Sequence, residues 1–163
     1  MKTIGLLSDT HNSIDDKFFN FFEPCDEIWH AGDFGSLELA DKISAFKPLR
    51  GVHGNVDDYK TRLVYPETQY FTIENVSVFM IHIGGYPGKY SAAARTALLS
   101  YKPKIFVCGH SHILKVMYDE KYGTLVMNPG SAGWYGQQPK RTVLRFNISD
   151  SEIKDLEICE LPR

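Results

Sequence analysis

The chain has 163 residues, of which 43% are apolar and 23% charged, and a formal net charge of -2. That length suits one domain with a sizeable core, and the composition excludes a disordered chain. A nearly balanced charge also excludes recruitment of nucleic acid or an anionic membrane by bulk attraction.

In chain order, residues 3–7 (Thr-Ile-Gly-Leu-Leu) predict a short buried strand. The run ends at Ser8, too soon for the core of a secretory signal, and no later stretch approaches a membrane span. Residues 18–22 predict a short helix approached through Ser13 and the acidic pair Asp15-Asp16, which suit a helix N-terminus. Residues 27–30 predict a second strand. Ser36 caps the next helix, whose Leu37, Leu39, Ala40, Ile43 and Phe46 form an apolar face before Pro48 stops it. Residues 49–52 predict a third strand, followed by a polar loop. Residues 70–73 and 76–81 then form a hairpin through Glu74-Asn75. Residues 91–101 are Ala- and Leu-rich and helical up to Lys102-Pro103, and residues 105–108 form another buried strand.

The last third changes character. Residues 113–118, 124–127, 142–148 and 153–161 predict strands linked by polar turns, without a long helix between them. No repeat, low-complexity segment or Pro/Gly/Ser linker marks a second domain, so residues 1–163 are expected to form one. A βαβαβ start and a later meander fit an α/β fold of two mixed sheets packed face to face with helices outside. The three cysteines, Cys25, Cys108 and Cys159, are odd in number and lack Cys-x-x-Cys spacing. They argue against a disulfide framework or a zinc ribbon and suit a reducing cytoplasm.

Donor residues cluster just after the apolar runs. Asp9-Thr10-His11, Gly32-Asp33, Gly54-Asn55-Val56-Asp57, His82 and Gly109-His110-Ser111-His112 each fall where a strand gives way to a loop. Asp9, His11, Asp33, Asn55, His82, His110 and His112 are too many donors for one tetrahedral ion and suit two divalent ions sharing a carboxylate. Each has an ordinary alternative. Asp9, His11, Asp33 and Asn55 could be turn or loop residues, and His82 a satisfied core histidine. His110 and His112 fall on one side of the chain if that segment is extended. His30, His53 and Asp57 are candidates for supporting a ligand or touching substrate, against plain strand or loop roles. Asn128-Pro129-Gly130-Ser131 shapes a turn, with Ser131 not expected to be a nucleophile. Cys108 fits a small apolar role.

Taken in sequence, Asp9-Thr10-His11, Gly32-Asp33, Gly54-Asn55, His82, Gly109-His110-Ser111-His112 and Asn128-Pro129-Gly130-Ser131 resemble the calcineurin-like metallophosphoesterase superfamily, most closely its small stand-alone bacterial and archaeal phosphodiesterases. The resemblance implies a four-layer α/β/β/α sandwich with metals at the strand ends. By position, Asp9, His11 and His112 resemble ligands of one ion, Asn55, His82 and His110 those of a second, and Asp33 a bridge. Asp33, Asn55 and His110 are expected to carry catalysis as well. Imidazole and carboxylate donors suit Mn²⁺ first, with Ni²⁺, Fe²⁺, Co²⁺ or Zn²⁺ as alternatives.

The implied reaction is in-line attack at phosphorus by a metal-bridging hydroxide on a small phosphate ester, a diester in preference to a monoester. The runner-up is a catalytically weak binding or scaffold protein, since one eukaryotic relative serves as a scaffold in a membrane-coat assembly. A nuclease is disfavoured because no basic run with interleaved aromatics occurs. Homodimerisation is left open. The sequence departs from the family pattern at Val56, where many relatives place a proton-donating histidine after Gly-Asn. It departs again at Ile83-Gly84-Gly85, where a His-Gly-His run is common.

Overall fold

The computed structural model describes residues 1–163. The strands sort into two five-stranded sheets. In the first, β1 (Lys2–Leu7), β2 (Glu27–His30) and β3 (Leu49–Gly51) run parallel. They are extended by antiparallel β9 (Lys140–Ser149) and β10 (Glu152–Pro162), giving the order β10-β9-β1-β2-β3. In the second, β5 (Val76–Ile81), β6 (Ile105–Val107) and β8 (Thr124–Pro129) are parallel, with β4 (Thr68–Ile73) and β7 (Leu114–Asp119) as antiparallel edges. Both sheets are mixed, as expected.

Alternation along each strand decides the layers. Ile4, Leu6, Trp29, Met80, Val107 and Leu144 point between the sheets into a core of 14 wholly buried apolar residues. Their neighbours point outward. Leu7, Ile28 and Val143 meet α1 (Asp16–Phe21) and α2 (Leu37–Phe46) through Phe18, Phe22, Leu39 and Ile43. Phe79, Ile81 and Phe106 meet α4 (Ala92–Tyr101) through Ala94, Ala97 and Leu98. The result is the expected α/β/β/α layering. No helix is long and apolar enough to cross a membrane.

Local signals are obeyed at most boundaries. Ser36 and Ser91 accept hydrogen bonds from Leu39 N–H and Ala94 N–H at the starts of α2 and α4. Lys102 closes α4 in a left-handed conformation, φ 48°. Glu74 (φ 48°) and Asn75 (φ 63°) form the hairpin turn. The start of α1 follows the acidic pair, with Asp15 as its cap, while Ser13 lies before the helix, its hydroxyl donating to Thr10 C=O and accepting from Trp134 N–H. One expectation fails locally, at the loop after β3. The polar loop after β3 contains a helix, α3 (Tyr59–Val64), capped by Asp58. Only Thr61 in it is buried, so it has no apolar stripe to reveal it.

Candidate metal centre

β1, β2, β5 and β6 are parallel strands or neighbours in parallel pairs, and their C-terminal ends lie at one edge of the sandwich. Asp9 follows β1, Asp33 follows β2, His82 directly follows β5, and His110 follows β6. Asn55 lies in the loop after β3, while His11 and His112 sit further out in the β1 and β6 loops. The chain must turn sharply after each strand to aim these side chains at one point. Asp9 (φ 54°), His11 (φ 45°), Asp33 (φ 58°), His110 (φ 70°) and His112 (φ 62°) all take left-handed backbone. Such conformations cost about 1–3 kcal/mol each outside glycine and tend to mark functional loops. They also correct the expectation of an extended His110-Ser111-His112: both imidazoles converge because the segment coils.

Two donor groups form. Asp9, His11 and His112 make one, and Asp33, His82 and His110 the other, with the donor atoms of each lying within 4.8 Å of one another. Asp9 Oδ1 is 3.2 Å from His112 Nε2, 3.6 Å from His11 Nε2 and 3.9 Å from His82 Nε2. Asp33 Oδ2 is 3.0 Å from His82 Nε2 and 3.8 Å from His11 Nε2, so it faces both groups. Asn55, the remaining predicted donor, places Oδ1 3.0 Å from His110 Nδ1. All seven residues are therefore neighbours.

The electrostatics are unusual for buried groups. Burial would raise the Asp9 carboxyl, yet His11, His112, His82 and the Ser8 hydroxyl reverse this and hold it well below the usual carboxylate range. Burial would likewise raise Asp33, and the His82 imidazole pulls it down. His82 is pushed down by burial but raised on balance by Asp33 and Asp9.

His82 Nδ1 lies 2.7 Å from the Ala31 carbonyl oxygen. A carbonyl only accepts, so Nδ1 carries a proton, and Nε2 is left facing the Asp33 and Asp9 carboxylates. The 3.0 Å approach of Nε2 to Asp33 Oδ2 is close but does not form a hydrogen bond. Asp9 Oδ1 and His82 Nε2 are two of the four buried side-chain polar atoms without a hydrogen-bond partner. Ligand atoms gathered in this way, two of them unpartnered, suit a shared cation. The donors are nitrogen and oxygen only. Cys108, although adjacent to Gly109, is buried, turns its thiol to Gly85 C=O and stands outside both donor groups.

A surrounding scaffold holds these groups. Asp57 touches none of the donor side chains. Its two oxygens accept from Asp33 N–H (3.0 Å), Gly35 N–H (3.0 Å) and Gly54 N–H (2.8 Å), tying the β2 loop to the β3 loop. His30 is wholly buried and also away from the donors. Its Nδ1 accepts from Gly32 N–H at 3.0 Å, its Nε2 faces Thr10 Oγ1 at 3.0 Å, and its ring stacks on Phe34 at 3.7 Å. Burial lowers it to about 3, so it is neutral. It braces the backbone between ligating positions. His53 commits Nδ1 to the Tyr65 carbonyl at 2.9 Å and lines a cavity of about 410 Å³ with Asn55, Arg62 and His82. Ser131 donates to Asp9 C=O at 3.2 Å and is buried, in keeping with a structural role.

Two glycines are dictated by close approach. A Cβ at Gly54 would collide with the Asp33 carboxylate, and one at Gly109 with Ser8 Oγ and Asp9. Sequence reasoning missed Ser8, Arg62 and Tyr135. Ser8 Oγ donates to Asp9 Oδ2 at 2.6 Å. Arg62 Nε donates to Asp57 C=O at 2.7 Å and Nη2 to Asn55 C=O at 3.3 Å. The Tyr135 ring lies 4.9 Å from His11. Ser8 adjoins Asp9 but a lone serine carries no signal, while Arg62 arrives from the unrecognised α3 and Tyr135 from a separate loop.

Known proteins agree with this architecture. No curated protein sequence matches the chain. Among solved structures, Vps29 of Entamoeba histolytica complexed with Zn²⁺ superposes with a TM-score of 0.76 at 18% identity, covering 98% of each chain. A Thermotoga maritima protein gives 0.74 at 24% identity, covering 99% of this chain and 100% of that one. A predicted phosphoesterase of Streptococcus pneumoniae gives 0.72 at 22% identity, covering 99% and 98%. The calcineurin-like phosphoesterase superfamily domain model matches residues 1–151, and with donors and strand ends arranged as above the chain belongs to that superfamily.

Proposed function

We propose that this single domain is a dinuclear metal-dependent phosphoesterase acting on small phosphodiesters. The observation that carries the reading is the pair of buried, unpartnered atoms Asp9 Oδ1 and His82 Nε2, 3.9 Å apart amid five further donors. Donors about 2.1 Å from a common ion lie roughly 3.0–3.4 Å from each other, close to the spacing around Asp9 and Asp33. Asp9, His11 and His112 would hold one ion, Asn55, His82 and His110 the other, and Asp33 would reach both. Mn²⁺ is the first choice for this set, with Ni²⁺, Fe²⁺, Co²⁺ and Zn²⁺ as alternatives. When bound, the ions would activate water and stabilise charge on phosphoryl oxygens.

The chain's own contributions follow from position. Ser8 orients the Asp9 carboxylate, and Asp57 holds the backbone that carries Asp33. Val56 is half exposed beside the site and offers only its backbone N–H, which donates to Asp33 Oδ1 at 3.0 Å. It cannot protonate a leaving group, so turnover should fall steeply as leaving-group pKa rises. A diester fits better than a monoester because cavities flank the centre on two sides. One is lined by His53, Asn55 and His82, the other by His110, His112 and Tyr135. A diester can send one arm into each. The absence of disulfides among three free cysteines supports a reducing compartment such as the cytoplasm.

A second reading, a metal-holding binding or scaffold protein, is favoured by the Vps29 superpositions and by Val56. One experiment separates the two. Protein stripped of metal is assayed with Mn²⁺, Ni²⁺ or Zn²⁺ on bis(p-nitrophenyl) phosphate and p-nitrophenyl phosphate, beside Asp33→Ala and His110→Ala. The hydrolase reading expects metal-stimulated diester cleavage that drops at least ~10³-fold in Asp33→Ala, since loss of several kcal/mol of charge stabilisation has that effect. Two bound metals without turnover would favour the binding protein.

A further inference from the structure

The loop of residues 133–138 stands over the first donor group and is built in an unusual way. Trp134 and Tyr135 are adjacent, large and 54% and 67% exposed. Both line a cavity of about 540 Å³ together with His110, His112, Gln137 and Gln138. The volume lies within the range of small-ligand sites. The Tyr135 ring is 4.9 Å from that of His11 and 6.3 Å from that of His112, which puts an aromatic surface directly beside the centre.

These aromatics are not on a slack loop. The Arg141 guanidinium lies 3.6 Å from the Trp134 ring centroid, and Arg141 is itself buried and held by Asp15 Oδ2 (3.2 Å) and Pro162 C=O (2.9 Å). Trp134 N–H donates to Ser13 Oγ at 3.0 Å, and the one Ser131 hydroxyl proton lies between Asp9 C=O (3.2 Å) and Tyr135 C=O (3.3 Å). Arg163 donates from Nη1 to Gly133 C=O and from Nε to Gln138 C=O. The backbone and one aromatic face are thus fixed while much ring surface stays open. An immobilised ring loses little entropy on stacking with a planar group, and the Gln137 and Gln138 amides both donate and accept beside it.

We propose that Trp134 and Tyr135 form a stacking platform for a planar heteroaromatic substituent of the substrate, so that the preferred ester is of mononucleotide type. The assignment rests on the phosphodiesterase reading for its reaction, but the platform itself is a binding claim. A polymer is disfavoured by the net charge of -2. The opposite cavity, with His53 and Arg62, receives the other arm.

Two measurements test it. The first compares thymidine 5′-(p-nitrophenyl phosphate) with ethyl p-nitrophenyl phosphate, which share a leaving group and differ in the retained arm. In Tyr135→Ala, kcat/KM should fall at least ~5-fold more for the thymidine ester than for the ethyl ester, the lower end of what base–aromatic stacking supplies. Tyr135→Phe, which keeps the ring, should retain the wild-type ratio. Equal losses on the two esters would overturn the platform.

The second needs no turnover. The chain has two tryptophans, and Trp29 is wholly buried in the core, so changes in emission report Trp134. Thymidine 5′-monophosphate should quench that emission saturably where inorganic phosphate does not. The change should disappear in Trp134→Phe. If the protein hydrolyses neither ester, the phosphodiesterase reading fails while quenching by the nucleotide alone still supports the platform. Identical responses to nucleotide and phosphate would overturn it.

Discussion

Between the sheets, Leu6, Met80 and Leu144 are wholly buried among other apolar side chains, and no charge enters that core. One to three residues beyond the strand ends, Asp9, Asp33 and His82 are almost as buried, yet they are charged or polar. The two regions are bonded to the same backbone and obey opposite rules. Core burial is favourable by itself, at roughly 25 cal/mol per Å² of apolar area. Burial at the strand ends is costly, because Asp9 Oδ1 and His82 Nε2 have no hydrogen-bond partner and five donor-bearing residues take left-handed backbone. The core therefore supplies the free energy that keeps the strand-end loops in a geometry they would not hold alone.

That contrast can be broken at either end. Leu144→Ala should cost the most stability, about 2–5 kcal/mol in urea unfolding, as expected for a large-to-small change in a packed core. Calorimetric Mn²⁺ affinity of the folded variant should stay within about twofold, given additivity between separated sites. A large loss of affinity would mean that core and loops are not separable.

The next effect appears in acid. His30, lowered to about 3 by burial, is neutral in the folded chain, whereas its ordinary value is 6.5. Above pH 6.5 neither state binds the proton and stability is complete. As pH falls from 6.5 towards 3, the unfolded chain takes up a proton that the folded chain refuses, so stability is lost, on the order of a few kcal/mol in total. His82 has a raised pKa and acts in the opposite sense, adding stability below 6.5 that disappears as pH rises through its folded value. In metal-free protein, His30→Gln should flatten the acid-side loss relative to wild type, whatever its stability at neutral pH. Parallel pH profiles would remove His30 from this role.

Asp57→Ala should be smaller in stability and visible mainly in metal affinity. Losing the acceptor for three backbone N–H groups should weaken Mn²⁺ binding about 10–100-fold, the range seen when outer support of ligands is removed. Undiminished affinity would show that the two loops hold their register without it. The smallest effect expected is a gain. Val56→His should raise turnover of an alkyl phosphodiester by about tenfold or more over its effect on an aryl one, by supplying a proton donor. Equal effects on both esters would show that Val56 does not face the leaving group.

Much of this was readable before folding. Residues 27–30, the Ser36 cap, and the Glu74-Asn75 turn were legible because they depend on nearest neighbours and strict periodicity. All seven predicted donors converge, since each follows a strand whose end must lie at the same edge of a parallel sheet. What stayed hidden had no local signal. α3 lacks an apolar stripe, and the coiling of His110-Ser111-His112 depends on contacts with Asp9, 101 residues from His110 by the 3.1 Å bond from His110 N–H. His30 and Asp57 were candidates for supporting the ligands, and what they hold is the backbone of the ligand loops. Their partners are backbone N–H groups, which carry no side-chain label in a sequence.

The order of strands, the polarity of each face and the chemical type of every donor were thus determined by the amino-acid sequence alone, because periodicity and residue chemistry are local properties. Tertiary structure decided the distances among the donors, which of them were left without hydrogen-bond partners, and the placing of Trp134 and Tyr135 beside them. Those depend on loops from both sheets meeting over a shared core, and no single segment encodes where another segment ends.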